Sequence, residues 1–174
     1  MASRPSFEST LRTVLLRELG AVRREIEAYP DETTPWVEVP GLPNSGGNLA
    51  LHIAGNLRHF VGRILGGIEY VRDRDAEFAR RAGSRAELLA GIDAARDAVD
   101  RGLALAPGEL LGGPYPETLA GRQLSTEVFL THLASHLAFH LGQLDYHRRI
   151  VTGDRAGAGA VSLAELPAFD ETRA

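Results

Sequence analysis

Apolar residues recur at every third or fourth position through long parts of this chain, a spacing that restricts it to helices packed side by side. From Phe7 to Tyr29, the residues Phe7, Leu11, Val14, Leu15, Leu19, Val22 and Ile26 form one stripe among Arg and Glu. Ser6 can cap this helix, because its hydroxyl can accept a bond from a free amide of the first turn, and Pro30 closes it. A second stripe, Leu49, Ile53, Leu57, Phe60 and Ile64, predicts a helix from about Gly47 to Leu65, weakened by Gly66 and Gly67. Ser84 followed by Glu87 is a capping-box pattern that opens a third helix to about Ala106. The fourth helix runs from about Ser125 to Val151, with Phe129, Leu133, Leu137 and Leu144 on its apolar side. Residues 30–46 contain four prolines and read as an ordered crossing loop; residues 107–124, rich in Gly and Pro, read as a second, with room for a short hairpin. The expected fold is all-α: a four-helix bundle over residues 1–151, with a C-terminal tail over 152–174 packed on it or extending from it.

Composition narrows the chemistry. A chain of 174 residues with 44% apolar content can bury one core, which makes one domain the expectation. A net charge of -4 with interleaved signs provides no basic field for nucleic acid or an anionic membrane surface. Cysteine is absent, which excludes disulfides, thiolate metal sites and a cysteine nucleophile, and leaves histidine and carboxylate as metal ligands. The first twenty residues carry recurring charges in place of the apolar run of a secretory leader, and nothing approaches the ~20 consecutive apolar residues of a membrane span. The expected location is the cytoplasm.

All six histidines lie on two of the predicted helices: His52 and His59 on the second, and His132, His136, His140 and His147 on the fourth. At about 100° per residue, the last four share one stripe with Gln143 that borders the leucines of the same helix. Half-buried imidazoles need partners for both nitrogens, and a cation shared by a His-x-x-x-His pair supplies one. Helical rise limits the choice. His132 and His140 are about 12 Å apart along the axis, as His52 and His59 are about 10 Å apart, so neither pair shares one ion. His136 pairs with His132 or His140, and the third ligand is His52 or His59, which leaves four combinations open.

Two segments, LHIAGNLRHFVGRILGG and THLASHLAFHLGQLDYHRR, resemble the DinB/YfiT-like superfamily. The second is similar to its fourth-helix signature, a His-x-x-x-His pair followed by Gly-Gln and an arginine, here His136, His140, Gly142, Gln143 and Arg148 or Arg149. The first is similar to its helix-two histidine, here His52, followed by Gly55, Asn56, Leu57 and Arg58; RDRDAEF at 72–78 is similar to a following segment. The resemblance implies a divalent metal, zinc or nickel before iron or another transition metal, on His52, His136 and His140. It also implies a homodimer and, in the members with known reactions, transfer or isomerisation dependent on a low-molecular-weight thiol such as bacillithiol or mycothiol. The branch it resembles most is one without an assigned reaction.

Around that triad, Asn56, His132 and Gln143 are candidates to support the ligands, while His59 and His147 read as helix-surface or supporting histidines. Gln143 is also a candidate to tie helices together, and Gly142 to admit a neighbouring helix closely. Arg72, Asp73, Arg74, Asp75 and Glu77 alternate in sign and read as a solvated, self-paired face; Trp36 reads as a packing anchor. Three imidazoles leave the ion open to a substrate. Thiol S-transfer ranks first; a non-catalytic metal-binding or structural dimeric bundle, and a metal-dependent hydrolase, are the alternatives.

Overall fold

In the computed structural model, which describes residues 6–168, each of the four long helices starts at a serine whose hydroxyl accepts a first-turn amide. Residues 1–5 of the expected bundle range and 169–174 of the expected tail lie outside the described residues. Ser6 caps α1 (Phe7–Glu27), Ser45 caps α2 (Gly46–Leu57), and Ser125 caps the longest helix, Thr126–Thr152. Ser84 and Glu87 exchange both bonds of a capping box at the start of Arg85–Leu105. Two short helices lie between them, so that the order is α3 (Arg74–Ala79), α4 (Arg85–Leu105), α5 (Gly108–Leu111) and α6 (Thr126–Thr152). A cap contributes about 1 kcal/mol and a fully buried leucine about 1.5–3 kcal/mol. The caps therefore place the helix starts, and the stripes hold the bundle.

Leu15, Leu19, Val22 and Ile26 of α1, Leu49, Ile53 and Leu57 of α2, Ile92 and Val99 of α4, and Leu133, Leu137 and Leu144 of α6 are buried in one core. Helices α1 and α2 each pack on both α4 and α6, so the order around the bundle is α1, α4, α2, α6. This topology sets the two histidine-bearing helices side by side. Among the described residues, no helix is long and apolar enough to cross a membrane.

The second helix departs from its sequence-based stripe. After Leu57 it continues as a π-helix, Arg58–Leu65, which buries Val61 and Leu65 and leaves Phe60 and Ile64 only half-buried. A π turn takes more residues than an α turn, so the apolar positions slip by one. Gly66 has a packing role there: a Cβ on it would overlap the backbone of Gly102, where this segment and α4 touch.

The first crossing loop is anchored by Trp36, which is buried and donates its indole N–H to the Gly83 carbonyl at 2.9 Å. The second contains α5 and two antiparallel bridges, Pro114 with Ser125 and Leu119 with Arg122, the latter closing a tight hairpin turn. Beyond α6, the chain turns back over α1. Arg24 donates to the carbonyls of Ala158 and Gly159 at 2.6 and 3.0 Å, Arg148 to that of Ala156 at 2.6 Å, and the Val161 amide to Glu18 at 3.3 Å.

Candidate metal centre

One turn of α6 separates His136 from His140, and the adjacent α2 presents His52 to both. The Nε2 atoms of His52 and His136 are 3.3 Å apart, and those of His136 and His140 are 3.1 Å apart. All three ligand atoms lie within 4.8 Å of one another. Nitrogens bound at 2.0–2.1 Å to one tetrahedral ion would be about 3.3 Å apart, so the three histidines could hold a divalent metal.

The far side of each ring explains why the Nε2 atoms converge. Glu77 accepts a bond from Nδ1 of His52 at 3.0 Å, and Oε1 of Gln143 accepts one from Nδ1 of His140 at 2.7 Å. With Nδ1 carrying the proton, both rings turn a lone pair inward at Nε2. A proton on Nε2 of His136 satisfies one of those lone pairs and leaves the other facing an imidazole. A cation satisfies both.

Glu77 is delivered by α3, whose first turn is capped by Asp73 through the Ala76 amide at 2.9 Å. Arg72 grips its carboxylate with two bonds, Nε to Oε1 at 2.7 Å and Nη2 to Oε2 at 2.8 Å. Both side chains are nearly inaccessible, at 10% and 7% exposure, so Arg72 and Glu77 do not belong to the solvated face that their alternating charges suggest. Charge alternation cannot tell a surface ladder from a buried pair that faces a histidine. Gly55 makes the approach possible, since a Cβ there would overlap the Glu77 carboxylate. Phe78 packs on the His52 ring, centroids 4.7 Å apart.

The electrostatics favour neutral ligands. Burial, reinforced by His140 and His52, brings the pKa of His136 down to about 4. Burial also lowers His140, against the opposing effect of its bond to Gln143. At Glu77, burial pushes the carboxyl up, but the bonds from Arg72 and His52 outweigh it and hold the group below the usual carboxylate range. The metal-free protein is therefore expected to lose stability as pH falls from 6.5 towards 4, because across that window the unfolded chain binds the His136 proton more readily than the folded one. Thermal melts of metal-free protein between pH 7 and pH 5 check this. A flat profile contradicts it, and added metal should steepen the slope, since the ion needs neutral imidazoles.

The remaining sequence candidates divide. His132 is exposed, stacks on Phe129 at 5.9 Å and holds its ring 6.0 Å from that of His136, with no hydrogen bond to the triad among the described residues. Asn56 is buried, and its side-chain oxygen has no partner among the described residues. Gln143 binds His140 within its own helix and, among the described residues, bonds to no second helix. Among the described residues no neighbouring helix comes close to Gly142, since a Cβ there would meet nothing within 4 Å. His59 faces Glu117 at 3.5 Å. His147 is fully buried, not on the helix surface: Tyr29 donates its hydroxyl to Nδ1 at 2.7 Å, and Nε2 donates to the Val37 carbonyl at 2.9 Å, which ties the first crossing loop to α6.

Glu77 and Arg72 are the residues that sequence reasoning missed. Replacing Glu77 with alanine frees the His52 ring and is expected to weaken metal binding about 10–100-fold. Competition with a chelator of known affinity measures this, and an unchanged affinity would show that the carboxylate does not orient the ligand.

The sequence model of the family described as Mycothiol-S-transferase matches residues 10–153 of this chain. No curated protein matches it.

Proposed function

The chain belongs to the mycothiol-S-transferase family, a DinB/YfiT-like family, and from that membership we propose that it transfers a low-molecular-weight thiol, mycothiol first among candidates, to an electrophile at a divalent metal on His52, His136 and His140. The observation that carries this reading is the convergence of three Nε2 atoms whose outer nitrogens on His52 and His140 are held by Glu77 and Gln143. A divalent ion there supplies the Lewis acidity that lowers the pKa of a bound thiol, the nucleophile that a chain without cysteine takes from its substrate. Three protein ligands leave room for that sulfur, whereas closed structural sites have four. Zinc or nickel suits a set of neutral imidazoles.

The protein's own part is positioning. Glu77 and Gln143 keep two rings in one tautomer, and Arg72 keeps Glu77 ionised and oriented. Hydrolysis is less well supported, because it needs a general base at the ion. Among the described residues, the carboxylate hydrogen-bonded to the triad is Glu77, which is engaged with Arg72 on the outer side of His52. Assembly as a homodimer in the cytoplasm belongs to the same proposal, and sedimentation of the purified protein checks the dimer.

Elemental analysis of the full chain should find about one divalent ion per three-histidine site. In a cobalt- or nickel-substituted sample, mycothiol should shift the ligand-field absorption, and an electrophile added afterwards should yield a thioether. A loaded protein whose spectrum does not respond to mycothiol or any other common cellular thiol overturns transfer and favours a non-catalytic metal site.

A further inference from the structure

Six side chains make a closed circuit of contacts between α2, its π-helical continuation and α6. The His52 and His136 rings are 5.2 Å apart, His136 and His132 6.0 Å, His132 and Phe129 5.9 Å, and Phe129 and Phe60 5.1 Å. The Arg72 guanidinium closes the circuit, 5.7 Å from the Phe60 ring and with Nη2 3.3 Å from Nδ1 of His52. Two triad histidines are thus members of it. Since His52 faces His136 and Phe60 faces Phe129, the two helices run antiparallel. Asn56, midway in the chain between His52 and Phe60, therefore stands at the level of His132. It lies one turn past His52, about 40° around the same helix. Asn56 is only 6% exposed, and its buried Oδ1 has no partner among the described residues. A buried oxygen without a donor costs stability, so its presence calls for a donor from outside these residues.

We propose that Asn56 is a specificity-determining residue: its Oδ1 accepts a hydrogen bond from the N–H that a cysteine-type thiol carries two carbons from its sulfur. The assignment rests on the thiol-transfer reading and adds to it the residue that tells one thiol from another. Residues four apart on a helix face are about 5–6 Å apart at Cβ, a separation that the sulfur–carbon–carbon–nitrogen link of such a thiol spans. His52 would hold the ion that takes the sulfur, and Asn56 would take the N–H beside it. Burial strengthens that bond, because little water competes for the oxygen. A thiol lacking the N–H leaves the oxygen unpaired, and a site built around a hydrogen bond discriminates strongly against a ligand that cannot make it.

The test needs no turnover. The cobalt-loaded full chain is titrated with N-(2-mercaptoethyl)acetamide and with 5-mercaptopentan-2-one, which differ by an N–H replaced with a methylene, and the ligand-field absorption reads each affinity. The amide is expected to bind about tenfold more tightly. Without a partner for its N–H, the amide would be the weaker ligand, because burying that group costs and burying a methylene gains. Asn56→Leu, which keeps the bulk of the side chain, and Asn56→Ala should each abolish the preference. Metal content should stay at the wild-type level, because Asn56 has no hydrogen bond to the triad among the described residues. Equal affinities in the wild type, or a preference for the ketone, overturn the role of Asn56 whether or not the variants fold. An amide preference that persists in both variants overturns it as well, and in either case thiol transfer stands. A metal-loaded protein whose spectrum responds to neither compound, nor to mycothiol, rejects thiol transfer and the role of Asn56 with it.

Discussion

Replacing His136 with alanine is expected to bring bound metal from about one ion per site to a trace, a larger loss than the ~10–100-fold cost of removing an orienting partner such as Glu77. His136 is the middle member of the triad, with its Nε2 3.3 Å from that of His52 and 3.1 Å from that of His140. Without it, the other two rings retain their partners Glu77 and Gln143 but share no third ligand. Stability should separate the metal site from a merely structural cluster. In the wild type, metal at 100 times its dissociation constant should add about 2.7 kcal/mol of stability, and the variant should lose that increment. The metal-free variant should melt at or above the wild-type temperature, because the substitution removes an imidazole held unprotonated by burial beside two others. Elemental analysis with paired melts, with and without metal, measures both. A variant that binds metal normally would move the site away from these histidines.

The second large effect lies at the other end of α6. Arg148 is completely buried and pairs with Glu25 of α1, itself buried; it also reaches Asp145 at 3.4 Å, Asp154 at 3.3 Å and the Ala156 carbonyl at 2.6 Å. Replacing Arg148 with methionine leaves the Glu25 carboxylate uncompensated and releases the returning tail. Breaking such a pair costs about 3–5 kcal/mol, a large share of the roughly 5–15 kcal/mol that holds a domain folded. The melting temperature should fall by roughly 6–20 °C. Adding Glu25→Gln to that variant should recover part of the loss, since the remaining cost is the lone buried charge and not the missing attraction. Thermal denaturation of the two single variants and the double variant decides it. A double variant no more stable than Arg148→Met would assign the effect to the tail contacts. Metal content should be unchanged throughout, because Arg148 bonds to none of the three histidines.

The four long helices were legible because each carries its own local instructions: a serine at the start, a stripe at helical period and a proline- or glycine-rich segment after it. Rise and angle along a single helix likewise excluded His132 with His140, and His52 with His59, as pairs on one ion. Those quantities depend only on backbone geometry within one element. They could not choose among the four remaining combinations; that choice came from the family resemblance.

Which helices are neighbours, and in what register, is a property of packing between elements separated by many residues. Only the bundle order sets His52 against His136 and His140, across 84 positions of sequence in the first case. The π turn after Leu57 shifted the buried positions to Val61 and Leu65, because Gly66 and Gly102 let two backbones meet there. Glu77 and Arg72 read as surface charges until α3 folded back over Gly55, since the burial that distinguishes a supporting carboxylate from a solvated one arises from the whole fold. The family signature left Arg148 and Arg149 equivalent, and the tertiary structure buried the first and left the second half-exposed. The sequence alone thus determined the helices and the set of histidines able to share an ion. The tertiary structure decided which charges stand behind that set, because hydrogen-bond partners and desolvation exist only between segments that packing has brought together.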